Sequence, residues 1–166
     1  MKAVTLLCIC TIALFMTIGC SDSATDVDHH HHLVEHACEH MTNGPATAVT
    51  AVVNGTGPDI SAVHTRFDIT LTDTLGGKKG GYVLFTPAEH GEWAIFLDKD
   101  IPLTVVGHDG SVVTAEDDDL HLEKCAAIVA GAAYDLHEET YTLVLGPTTE
   151  ETVSLVMEEG DHEHHD

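Results

Sequence analysis

Val63-His-Thr-Arg-Phe-Asp-Ile-Thr-Leu71 decides the fold class. Val63, Thr65, Phe67, Ile69 and Leu71 alternate with His64, Arg66, Asp68 and Thr70. A period of two marks a strand with one face in a core and the other toward water. Shorter runs of the same character flank it on both sides: Ala48–Val53, Tyr82–Thr86, Glu92–Leu97, Leu103–Val106, Ser111–Thr114, Ala127–Ala130, Thr140–Leu145 and Thr152–Met157. Turn signals separate them, among them Asn54-Gly55, the Gly76–Gly81 segment, His90-Gly91, Asp109-Gly110 and Gly146-Pro147. About eight or nine short strands spaced in this way predict an all-β fold, a single β-sandwich or jelly roll over residues 45–158. Lys124–Ala133 reads equally as a strand or a short helix.

Upstream lies Asp28-His-His-His-His-Leu-Val-Glu-His-Ala-Cys-Glu-His-Met41, closed by Asn43-Gly44-Pro45. Asp28 is a good N-cap, and Gly44-Pro45 is a strong stop, so residues 28–44 are expected to hold a short amphipathic helix. At about 100° per residue, Leu33, Ala37, Met41, Val34 and Cys38 gather on one face. His29, His32, His36 and His40 form a stripe on the other, edged by Glu35 and Glu39. Imidazoles four residues apart lie on adjacent turns and can share one ion. Neutral imidazole suits Zn²⁺, Ni²⁺ and Cu²⁺. The expected ligands are therefore His29, His32, His36, His40 and Glu39, with His30 and His31 secondary. The string His36-Ala-Cys38-Glu-His40 also resembles a Cys/His metal site. On a helix, however, Cys38 points away from both histidines, so a disulfide with Cys125 is the expected state.

The two ends of the chain read differently. Lys2 precedes an uncharged apolar run from Val4 to Ile18. That run is short for a membrane span of about 20 residues and suits an export signal over residues 1–19. Thr17-Ile18-Gly19-Cys20 resembles the lipobox of bacterial lipoproteins, with Thr17 where Leu is usual. The resemblance implies lipidation of Cys20, a tether over residues 20–27 and a place in the cell envelope. Ser21 after the Cys implies the outer membrane, on its periplasmic side or at the cell surface. Removing residues 1–19 takes away Cys8 and Cys10, which leaves Cys38 and Cys125 as a single pair in an oxidising compartment. The other end, residues 159–166, is an acidic tail with His162, His164 and His165, a secondary set of cation ligands.

Composition narrows the function. There are 6 Lys+Arg against 28 Asp+Glu, a net charge of −22, with 14 His. Such a charge argues against nucleic acid, whose phosphates need Lys and Arg, and against adsorption to anionic lipid. Contact with a membrane is therefore expected only through the lipid anchor. The sequence shows no Gly-x-Ser-x-Gly, Walker loop or Cys-x-x-Cys-His, and the histidines at 36 and 40 lack the Glu of His-Glu-x-x-His. Neither an enzyme nor an organic cofactor is expected. His64, His90, His108 and His137 read as solvated residues of strands and acidic turns.

Ala88–Val106 and Leu136–Met157 look like two versions of one unit: an acidic turn, an aromatic (Trp93, Tyr141), alternating apolar residues and a further strand. This is similar to the pre-peptidase C-terminal type of bacterial β-sandwich over about Val63 to Glu158, with Glu139-Thr140 replacing the usual Gly. The resemblance implies a binding or stabilising module of a secreted protein. Two readings follow. One is a lipid-anchored Zn²⁺ scavenger, buffer or metallochaperone, with Ni²⁺ or Cu²⁺ as competitors. The other is a surface interaction or adhesion module whose His-rich ends are incidental.

Overall fold

A computed structural model describes residues 24–118, 120 and 122–160, with side chains from residue 32 onward. The expected export signal over residues 1–19, Cys20, His121 and the tail histidines His162, His164 and His165 lie outside the described residues. Helix α1 (Ala24–Asn43) precedes ten strands. They are β1 (Ala46–Thr50), β2 (Arg66–Thr70), β3 (Thr72–Asp73), β4 (Lys79–Phe85) and β5 (Gly91–Leu97), then β6 (Leu103–Val106), β7 (Val112–Val113), β8 (Ala130–Leu136), β9 (Tyr141–Thr148) and β10 (Thr152–Glu159). Two five-stranded sheets form, ordered β1-β2-β10-β5-β8 and β3-β4-β9-β6-β7. The all-β sandwich expected from the alternation is the fold observed.

The period-two pattern works as read. Phe67 and Ile69 of β2 are buried between the sheets with Trp93, Ile95 and Leu97 of β5, Leu143 and Leu145 of β9, and Val153, Leu155 and Met157 of β10. Along β5 and β10 the opposite parity is also apolar. Ala94, Phe96 and Val156 face outward and, with Leu120, Cys125 and Ile128, form a second core beneath Leu33, Val34, Ala37 and Met41 of α1. Burying three large side chains of this helix contributes on the order of 5 kcal/mol, enough to hold it on the sheet. The Cys38–Cys125 disulfide fixes it covalently. At its C-terminus, Gly44 N donates to His40 O (3.0 Å) and Arg66 Nη1 donates to Met41 O (2.9 Å), satisfying carbonyls that the helix leaves open.

Four local expectations are corrected. The helix begins at Ala24, so Asp28 lies inside its N-terminal half and is no cap; the first turns favour acidic side chains through the helix dipole. The strand expected at Ala127–Ala130 begins only at its last residue, Ala130. Residues 122–128 are held in a 3₁₀ turn (Leu122–Lys124) and a following turn beside Cys125, and the strand runs from Ala130 to Leu136. Gly146-Pro147 does not end β9 but lies within it. There the β4–β9 register shifts, and the bulge accommodates a residue that has no N–H to donate. Finally, β2 starts at Arg66, which leaves Val63 and His64 in a turn.

That turn has a topological cause. β1 and β2 pair in parallel, Ala46 with Arg66 through Thr50 with Thr70, so the chain must return to its starting end between them. It does so along the second sheet, bridging Val52 to Tyr82 and Asp59 to Leu84. The return closes at His64, a non-glycine residue with φ of 54°.

Candidate metal centre

Three elements meet where α1 ends. β10 carries Glu158 on the outward parity of Ser154 and Val156. It lies opposite Ala94 of β5, beneath the last turns of the helix. Those turns supply His40, and the crossover turn supplies His64. Glu158 is only 3% exposed. Its Oε1 lies 2.6 Å from His40 Nδ1 and its Oε2 3.4 Å from His64 Nδ1. The two imidazoles are 4.8 Å apart between ring centroids, inclined at 57°. A buried carboxylate needs hydrogen-bonding or charged partners, and here each oxygen faces one imidazole.

The ligating atoms of His40, His64 and Glu158 all lie within 4.8 Å of one another. Zn–N and Zn–O bonds of about 2.0–2.2 Å in tetrahedral geometry place neighbouring ligand atoms roughly 3.3 Å apart. The observed separations bracket that value. An ion at the centre has to push Glu158 and His40 apart and draw the two rings together by ångström-scale adjustments. His64 is exposed and free to make the larger one. His64 and Glu158 open onto a cleft of about 430 Å³, whose lining includes His36, Glu89, Glu159 and Gly160.

The histidines of the helical stripe are divided by this arrangement. His40 joins the cluster and His36, one turn earlier, reaches the cleft, whereas His32 is exposed. His29, His30 and His31 lie on the helical backbone. Glu39 faces the other way. It lines a separate groove of about 310 Å³ with Val34, Cys38, Lys124 and Cys125. Cys38 is a disulfide partner and no ligand.

Sequence reasoning missed His64 and Glu158. Glu158 falls just past the expected last strand, Thr152–Met157, but β10 runs to Glu159. Its parity with Val156, which packs under the helix, was the available signal. The domain histidines are exposed, as expected, but each also meets a side-chain partner. His64 faces Glu158, His90 Nε2 lies 3.0 Å from Asp135 Oδ1, and His108 Nδ1 lies 2.6 Å from Glu139 Oε2. The ring of His137 stacks on that of His90. Comparison with protein families and with curated proteins found no match.

Proposed function

We propose that the protein is a lipid-anchored, extracytoplasmic transition-metal-binding protein, a scavenger, buffer or metallochaperone for Zn²⁺ with Ni²⁺ and Cu²⁺ as competitors. The observation that carries this reading is the buried Glu158 carboxylate, each of whose oxygens faces an imidazole from a different element. Two imidazoles and a carboxylate make an N₂O donor set suited to borderline divalent ions. Three protein ligands leave a coordination position for water, for His36 or for a receiving protein, which suits exchange better than permanent storage. The net charge of −22 raises the local concentration of cations, and the disulfide is consistent with an oxidising compartment. Ligating imidazoles must be unprotonated, so acid competes with the ion for them.

Calorimetric titration with Zn²⁺ tests the reading, comparing the wild type with His40→Ala/His64→Ala. Submicromolar binding of one ion that is lost in the variant supports it. Equal, weak binding in both proteins refutes it.

A further inference from the structure

We infer that the outer face of the β5–β8 pair carries a second transition-metal subsite, formed by His90, His137 and Asp135. The register creates it. β5 and β8 pair antiparallel from Leu97 with Ala130 to Gly91 with Leu136. One step further along the same register, His90 stands opposite His137. Asp135, two residues before His137, shares its face and is the diagonal neighbour of His90. Opposed residues of an antiparallel pair hold their Cβ atoms about 4.5–5.5 Å apart, within reach of one chelated ion.

The side chains already converge. His90 Nε2 lies 3.0 Å from Asp135 Oδ1. The rings of His90 and His137 stack with centroids 4.2 Å apart and planes inclined at 13°. Stacked rings direct their lone pairs along parallel planes, so they must fan open for both to reach one ion at about 2.0–2.1 Å. His90 and Asp135 are half-exposed, leaving room for that motion. The backbone beneath is fixed. His137 N donates to the hydroxyl oxygen of buried Tyr141 (3.0 Å), and Glu139 N donates to His137 O (2.7 Å).

Position relates this subsite to the first. Ala133 and Asp135 of β8, Ala94 of β5 and Glu158 of β10 share the outward parity of one sheet, with β5 between β8 and β10. Two strand spacings across the sheet and two residues along β8 separate Asp135 from Glu158, about 12 Å. Glu89, beside His90 in the chain, lines the cleft of the first site. The outer, exposed pair is suited to capturing an ion and the inner one, with its buried carboxylate, to retaining it. The subsite itself rests on the β5–β8 register and stands apart from the cleft.

The test is Cu²⁺-induced paramagnetic broadening of backbone amide signals, recorded on the purified His40→Ala/His64→Ala protein so that the first site contributes nothing. The amides of Gly91, Asp135 and His137 are expected to broaden at substoichiometric Cu²⁺. Adding His90→Ala and His137→Ala should abolish this while the rest of the spectrum, and hence the fold, is retained. His137→Ala alone should weaken the effect at Gly91 at least about tenfold. The proposal is overturned if these amides stay sharp through two equivalents of Cu²⁺, or if their broadening survives the loss of both imidazoles. Zn²⁺ binding by His90→Ala/His137→Ala with His40 and His64 intact reports on the first site separately.

Discussion

Replacing His64 with Gly and, separately, with Ala distinguishes its two burdens: an unfavourable backbone and an imidazole. At φ of 54° it occupies the left-handed region, which costs an L-residue about 1–2 kcal/mol. Glycine escapes that penalty but forfeits about 0.5–1 kcal/mol in unfolded-state entropy. His64→Gly should therefore lie within about 1 kcal/mol of the wild type without metal. His64→Ala keeps the strain and should be less stable than the Gly variant by about 0.5–1 kcal/mol. With Zn²⁺ at one hundred times the dissociation constant, the wild type gains about 2.7 kcal/mol. For a chain of this size that is a rise in melting temperature of about 8 °C. Neither variant should show it. Urea unfolding and thermal melts, each with and without Zn²⁺, provide the assay. A full zinc shift in either variant removes His64 from the site. Equal stability of the Gly and Ala variants refutes the strained backbone.

Three further outcomes are expected. Replacing Cys38 and Cys125 by Ala opens a crosslink spanning 87 residues and should lower stability by about 4–5 kcal/mol on the chain-entropy estimate, measured by urea unfolding. Gly131→Ala would bring a Cβ within 2.8 Å of the buried Phe96 ring, an overpacking that should destabilise by about 1–3 kcal/mol; combining it with Phe96→Leu should restore part of the loss. Burial raises the phenol pKa of Tyr134 and of Tyr141 above the usual 10.0, so both should ionise late when tyrosinate absorbance is followed with pH. Because their folded values are raised, the stability these tyrosines contribute is complete below pH 10 and declines as pH climbs through the raised values. Ionisation of all the tyrosines together at the usual value would contradict the burial.

What was legible in the sequence was what local periodicity controls. The alternation from Phe67 to Leu71 placed β2 and its buried face. The helical angles of Leu33, Val34, Ala37 and Met41 identified the face that packs on the sheet, and the angle of Cys38 directed it to Cys125 rather than to the histidines. The candidate centre was only half legible, because two of its residues, His40 and Glu158, are 118 positions apart. No spacing rule spans such a separation. Glu158 was left off the expected last strand because the acidic composition beyond it masks the end of β10. His64 looked like a strand residue because alternation continues through a turn whose reversal is imposed by the parallel β1–β2 pairing. The His90–His137 pair was similarly hidden, since it exists only through the β5–β8 register.

Location of the ion itself tests the central claim most directly. Crystals of the protein soaked in Zn²⁺, with diffraction recorded on both sides of the zinc absorption edge, would show it as an anomalous peak. The account predicts a peak about 2.0–2.2 Å from a nitrogen of His40, a nitrogen of His64 and an oxygen of Glu158, with the carboxylate drawn off its contact with His40. Zinc held elsewhere on the chain, with the His40–Glu158 contact of 2.6 Å intact, would contradict it.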